Sequence, residues 1–281
     1  MASGKRTVLI TGCSDGGLGA SLAIAFHEAG LHVIATARNV AKLKQVEALG
    51  IETLALDVLS DSSIAECVAK VTELDILVNN AGSGYFMPVA DISIAEAKKC
   101  FDLNVWSYIA VSQAFLPLLL KSKGTIANQT SLASVVSFPL QAAYNAAKAA
   151  TASFSDAMRR ELQPFGVTVV DLKTGVVNTN FFKNQREAVH EVLPEGSIFE
   201  PAKEEVEKIL RGEKVEGTGM QAEQWAKQVV HELVKSKPSS IIWRGSYSFM
   251  MRILACLPFS WTDGFINSAV GMSAVEQALR K

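Results

Sequence analysis

Short unbroken apolar runs recur along the chain, separated by longer segments whose apolar positions return at helical spacing. The runs at residues 7–11, 32–37, 53–57, 76–79, 124–128 and 167–172 read as strands. The segments at about 19–29, 40–48, 64–72, 94–120 and 142–162 read as helices, with Pro117 near the end of the long one. Strands alternating with helices imply βαβ units and a parallel sheet, with right-handed crossovers. The expected fold class is therefore α/β: a Rossmann-type doubly wound parallel sheet with ligands at the carboxyl ends of its strands. After Gly175 the pattern changes. Residues 180–221 are charged and interrupted by Pro194, Gly196, Gly212, Gly217 and Gly219. They read as a helical lid laid over the strand ends, inside a single domain spanning 1–281. A helix over 221–235, a strand over 239–243 and an apolar tail over 244–281 follow.

Composition narrows the function classes. Of 281 residues, 49% are hydrophobic and 20% charged, enough for a substantial core, and the formal net charge is −1. Nucleic acid is not expected as a partner, because no basic field exists to hold it. Cys13, Cys67, Cys100 and Cys256 form no Cys-x-x-Cys pair, and the histidines show no ligand spacing. No disulfide framework and no metal site are expected. The N-terminus lacks a secretory h-region, and no uninterrupted apolar stretch is long enough to span a bilayer. A cytoplasmic protein is expected.

The first chemical signal is the loop Gly12-Cys13-Ser14-Asp15-Gly16-Gly17-Leu18-Gly19 between the first strand and the first helix. Glycines let the backbone approach a pyrophosphate, and the helix N-terminus offers unpaired N–H groups. The second strand ends in Arg38, with no acid to take a ribose 2′-hydroxyl. A guanidinium suits a 2′-phosphate, so NADP(H) is expected over NAD. Asp15, inside the loop, argues mildly the other way.

The second signal is Tyr144-Asn145-Ala146-Ala147-Lys148 in a helical stretch. Positions i and i+4 share a helix face. The ammonium is expected to lower the phenol from its ordinary value of about 10, making it a proton donor or acceptor near neutral pH. Ser131 ends a strand, where its hydroxyl can hold a substrate carbonyl oxygen. Asn80-Ala81-Gly82 ends another, and its small residues suit a loop packed against a cofactor.

Together, the glycine loop, Asp57-Val58, Asn79-Asn80-Ala81-Gly82, Asn104, Ser131 and Tyr144 with Lys148 resemble the classical short-chain dehydrogenase/reductase family over about residues 5–180. The resemblance implies that Tyr144 donates the proton and that Lys148 binds the nicotinamide ribose and tunes Tyr144. It implies further that Ser131 orients the carbonyl and that Asn104 anchors a relay water. Asp57 and Val58 would flank the adenine, and Asn80 the adjacent ribose. Thr179, with Val177 in the same segment, would meet the carboxamide end. Two departures stand out. One extra residue in the glycine loop leaves the roles of Gly16 and Gly17 open, and Thr174 replaces the usual proline, which predicts a less rigid turn.

Within the family the chain is most similar to fungal NADPH-dependent 1-acyldihydroxyacetone-phosphate reductases. The Gly-Cys-Ser-x-Gly-Gly loop, the Ala-Thr-Ala-Arg-Asn strand end and the tail carry that likeness. Leu132, Phe138, Leu140, Tyr85, Phe86, Phe181 and Phe182 are expected to border a pocket for a lipophilic small molecule. The tail reads as a pocket wall, a subunit contact in a homodimer, or a peripheral contact with endoplasmic reticulum membrane or lipid droplets. Two other function classes stay open: a non-catalytic NADP(H) sensor and a membrane-associated lipid-handling protein.

Overall fold

In a computed structural model of the chain, which describes residues 4–188 and 192–280, the apolar runs become strands of one parallel sheet. In chain order the first half contains β1 (Thr7–Ile10), α1 (Leu18–Glu28), β2 (His32–Ala37), α2 (Lys44–Glu47), β3 (Glu52–Ala55), α3 (Asp61–Lys70) and β4 (Ile76–Asn79). Next come α4 (Ile94–Phe101), α5 (Ser107–Ser122), β5 (Thr125–Gln129), α6 (Ala142–Leu162) and β6 (Thr168–Thr174). The remainder holds β7 (Val177–Asn178), α7 (Phe181–Ala188), α8 (Lys203–Leu210), β8 (Met220–Gln221), α9 (Ala222–Leu233) and β9 (Ile241–Arg244), then α10 (Ser248–Leu254), α11 (Phe259–Val270) and α12 (Met272–Leu279). The seven-stranded sheet runs β3-β2-β1-β4-β5-β6-β9, parallel throughout.

The strands are apolar because both faces are covered. Val8 and Ile10 point into a core completed by Leu22 and Phe26 of α1 and Trp225 and Val229 of α9. Leu9, between them, points into the opposite core with Val111, Phe115 and Leu119 of α5. The strand order reverses between β1 and β4, which opens a crevice at their carboxyl ends.

Three expectations are refined. The long helix expected over 94–120 is interrupted by a π-helical turn, Asp102–Trp106. The π turn leaves the Asn104 carbonyl to Thr151 of α6, whose hydroxyl donates to it at 2.7 Å. Ile94–Ser122 is long and apolar enough to cross a membrane, but its apolar stripe is spent on the sheet. The helix expected over 40–48 splits into a 3-10 turn, Val40–Lys42, and the short α2. Here Asn39 accepts a hydrogen bond from Ala41 N–H at 3.0 Å. Helix α3 starts earlier than its apolar spacing suggests, because Ser60 caps it through the Ser63 N–H.

The segment expected as a lid carries α7, a 3-10 turn (Glu200–Ala202) and α8; residues 189–191 of it lie outside the described residues. Val206 and Leu210 of α8 pack with Phe86, Leu140 and Ala143, and Val275 of α12 packs into the same cluster. Met251 of α10 and Ile266 of α11 pack on Leu132 and Val136 beside Ser131. The tail is thus a folded helical wall around the sheet's carboxyl edge.

Candidate active site

One cavity of about 510 Å3 runs along the strand ends from the glycine loop to the tail. At its β1–β2 end lie Gly12, Ser14, Gly17, Leu18, Arg38, Asp57 and Val58. Gly12 has φ +72, and a Cβ there would stand 2.8 Å from Ala81 Cα. Gly17 is the N-cap of α1 and supplies no side-chain cap; the first turn carries no acid. The helix therefore turns bare N–H groups towards the cavity, the electrostatics an anionic group needs. Gly16, at φ +75, faces Asn180 and does not line the cavity, so Gly17 takes the middle position of the loop. Gly19 also lies off the cavity. A Cβ on it would stand 2.5 Å from Gly12 O and 2.6 Å from Asn80 Nδ2, so its role is close packing beneath the loop. Asn80 Nδ2 donates to Thr11 O at 2.8 Å and Gly12 O at 3.1 Å, clamping that loop to the end of β4. Asp15 is turned away: its carboxylate accepts from Gln45 N–H at 3.0 Å, which leaves Arg38 as the cation at this end of the cavity, with the Asp57 carboxylate also lining it.

At the centre, Ser131, Tyr144, Lys148 and Asn104 converge with Ala81 and Gly82. The α6 periodicity puts Tyr144 and Lys148 on one face, with Ala147 buried beside them. Ser131 Oγ accepts from Ala133 N–H at 3.2 Å, which fixes the oxygen and leaves its proton to donate towards Tyr144. Lys148 Nζ donates to Gln129 O at 2.9 Å and lies 5.8 Å from the Tyr144 ring centre. Asn104 Nδ2 donates to Ser83 O and Cys100 O, both at 2.9 Å, while its Oδ1 is buried without a partner. That oxygen and Lys148 Nζ both face Gly82, where a Cβ would stand 2.7 and 3.6 Å from them. Only glycine leaves this space open.

The electrostatics correct one expectation. Burial, not the lysine, dominates Tyr144: it pushes the phenol above its ordinary value, with Ser131's hydrogen bond pulling the other way. Burial likewise pushes Lys148 down to about 8, opposed by the neighbouring Cys100 thiol and the Asp171 carboxylate. A low-dielectric site disfavours each charged form. Tyr144 is held as a neutral phenol, the form that gives a proton away.

Beyond Tyr144 the walls are mainly apolar: Phe86, Leu132, Phe138, Leu140, Phe181 and Phe182 line the cavity, with Gln141, Asn184 and Lys214 as the polar exceptions. Phe86 meets the Tyr144 ring edge-on, with centres 5.9 Å apart. Leu140 holds φ +64, a left-handed conformation rare for its shape. Tyr85 is a correction. It is buried in the core, where its hydroxyl oxygen accepts from Ser93 N–H at 2.9 Å. Thr174 lines the cavity, and the turn after it gains rigidity from pairing: Val176 and Ser246 exchange two backbone hydrogen bonds of 3.1 Å. A Cβ at Gly175 would stand 2.1 Å from Ser246 O. Val177 and Thr179 line the same end.

The residues that sequence patterning did not single out include Ile209, Leu210 and Val270, which complete the apolar wall. Apolar spacing in α8 was their available signal; Val270 had none, because its place depends on how the tail folds back.

Comparison with known proteins now decides the family. The family profile for short chain dehydrogenases matches residues 6–190. The chain belongs to that family. It is 51% identical over 280 residues to a short-chain dehydrogenase/reductase of Pestalotiopsis microspora, covering 100% of this chain and 99% of the other. It is 41% identical over 203 residues to the NADPH-dependent 1-acyldihydroxyacetone phosphate reductase of Schizosaccharomyces pombe, covering 70% and 69% of the two chains. A short-chain dehydrogenase of Streptomyces avermitilis superposes with a TM-score of 0.77 at 24% identity, covering 97% and 98%; at that identity the likeness is one of fold.

Short-chain dehydrogenases are oxidoreductases that bind a nicotinamide dinucleotide. The residues here fit such a group: a cradle closed to any Cβ at Gly12, bare N–H groups on α1, and the unpartnered Asn104 oxygen beside Lys148.

Proposed function

We propose that this short-chain dehydrogenase is an NADPH-dependent reductase that converts a carbonyl of a lipophilic small molecule to an alcohol. The observation that carries the reading is the junction itself: a neutral, buried Tyr144 stands where an apolar chamber meets the glycine cradle, within one cavity. Ser131 donates to the carbonyl oxygen and holds it against the phenol. Tyr144 gives its proton to that oxygen. Lys148 and the free Asn104 oxygen lie behind it, placed to hold a water that returns the proton. A reduced nicotinamide supplies the hydride when bound.

Arg38 supports NADPH over NADH, since it reaches the cavity and carries no ion pair among the described residues. The relative from S. pombe is named as NADPH-dependent. The apolar walls support a lipid-like, steroid-like or secondary-metabolite ketone. The test is NADPH consumption, in parallel with NADH, against an acyl-dihydroxyacetone phosphate, a ketosteroid, retinal and an aromatic polyketide ketone. Turnover with NADPH that vanishes in Tyr144→Phe is the expected result. Tight NADPH binding without turnover on any of them would favour a sensor.

The tail adds a second reading, contact with a lipid surface. Phe249, Ile253, Leu257, Trp261 and Phe265 are all exposed and recur at every fourth position, with Arg252 the only nearby cation on α10. Aromatic residues on a nearly uncharged surface suit the headgroup boundary. Flotation with phosphatidylcholine vesicles, lost in Phe249→Ser/Trp261→Ser, is the expected outcome. A homodimer through α6 and the π turn before α5 is proposed in turn from the exposed Trp106–Phe154 pair, with ring centres 5.8 Å apart; sedimentation is expected to show a dimer that Trp106→Glu dissociates.

A further inference from the structure

Behind Ser131 lies a buried charge cluster that has entered so far only through the charge of Asp171 on Lys148. Asp171 and Lys173 stand two apart on β6 and so share a face of the sheet. They are 8% and 5% exposed. Lys173 Nζ pairs with Asp171 Oδ2 at 2.7 Å. Trp243, the partner of Lys173 in register on β9, lies under the ammonium at 5.7 Å from its ring centre. Ion pairs this deep seldom add net stability, so the question is what the pair holds.

It holds both flanks of Ser131. On one side, Thr130 Oγ1 donates to Asp171 Oδ1. On the other, Lys173 Nζ donates to Ser134 Oγ at 3.0 Å, and Ser134 Oγ donates to Ser131 O at 2.6 Å. The 3-10 turn Leu132–Ser134, which follows Ser131, thus has one end tied to the carboxylate and the other to the ammonium. The lateral contacts here are apolar: Met251 and Ile266 of the tail pack on Leu132 and Val136 of the same loop. The ion pair is the polar anchor.

We propose that Asp171 and Lys173 are positioning residues that set the location of the Ser131 hydroxyl through Thr130 and Ser134. The inference rests on the reading of Ser131 as the group that holds the carbonyl. A misplacement of about 1 Å in such a group lowers rate by about 100-fold, so the ties govern activity without touching substrate.

The test cuts the ties and leaves the ion pair intact. Thr130→Val and Ser134→Ala are made singly, together and on a Ser131→Ala background, with phenanthrenequinone as the carbonyl probe. The double variant is expected to lose about 10-fold or more in kcat/KM with unchanged NADPH affinity. Thr130→Ser, which keeps the hydroxyl, retains activity. On the Ser131→Ala background the same cuts cost nothing further. Losses that add to that of Ser131→Ala would overturn the proposal, since the ties would then act elsewhere. The second readout needs no turnover. The Ala133 amide, bonded to Ser131 Oγ, exchanges hydrogen faster in the double variant when measured by NMR; unchanged exchange would overturn the proposal by itself. Failure of the wild-type protein to reduce the quinone counts against the reductase reading, and Ala133 exchange then decides the positioning claim alone.

Discussion

The two ends of the cavity are built on opposite plans. At the glycine-loop end, backbone meets backbone, Gly12 against Ala81 and Gly19 against Gly12, and the Asn80 side chain closes on Gly19, with clearances that exclude even a methyl group. At the other end, side chains from α6, α7, α8 and the tail meet across an apolar space. A shared cofactor demands one invariant shape, and a substrate is accommodated by whatever side chains the surrounding helices present. The first end tolerates no change, and the second tolerates change at the cost of selectivity.

The sharpest way to break this comparison is to add one methyl group at each end. Gly19→Ala puts a Cβ within 2.5 Å of a carbonyl oxygen. It is expected to cost about 1–3 kcal/mol of stability and most NADPH affinity, read by denaturant unfolding and fluorescence titration. Gly212→Ala puts a Cβ within 2.5 Å of the Phe182 ring, which can turn aside, and places alanine at φ +69, which costs some stability. It is expected to change KM for the carbonyl and leave NADPH affinity alone. Equal effects of the two on cofactor binding would erase the distinction.

A charge reversal at the cofactor end comes next. Arg38→Glu is expected to lower the preference for NADPH over NADH by about 10- to 100-fold, the worth of a charge-assisted hydrogen bond. Steady-state rates with both cofactors check it. At the substrate end, Phe182→Ala is expected to raise KM by about 10-fold for an apolar ketone, with kcat little changed.

The smallest effect is a pH response at the boundary. Burial pushes Lys148 down to about 8. In kcat/KM for NADPH, which reports the cofactor-free enzyme, activity is expected to fall as pH rises through about 8 and the ammonium is lost. Stability moves the other way. The folded state releases this proton before the unfolded state does, so this group's contribution to stability rises from about pH 8 towards the ordinary lysine value. A thermal-unfolding series across that window checks the sign.

Legibility in the sequence divides along the same line. The sheet, its order of elements and most of the residues that line the glycine-loop end of the cavity are readable because each signal is local: an apolar run, a glycine turn, a Tyr and Lys one helical turn apart. Arg38 was readable for the same reason, at a strand end. What escaped depends on the chain returning from far away. The Ser246 pairing that stiffens the turn after Thr174 comes from the far end of the chain. Val270 reaches the cavity because α12 packs on α8. Tyr85 looked like a pocket residue from its neighbours, and only the fold shows its hydroxyl committed to Ser93. The expected fall in the Tyr144 pKa failed for a related reason: spacing reveals the lysine but not the burial that outweighs it. The π turn that presents Asn104 left no pattern at all, since Thr151, which takes up its carbonyl, lies on another helix.

The central claim is that Tyr144 donates the proton during carbonyl reduction, and single-turnover NADPH oxidation with a ketone substrate, in wild type beside Tyr144→Phe, tests it most directly. With NADPH binding first shown equal by fluorescence, the variant is expected to lose at least about 100-fold in rate; a variant that oxidises NADPH at the wild-type rate would contradict the account.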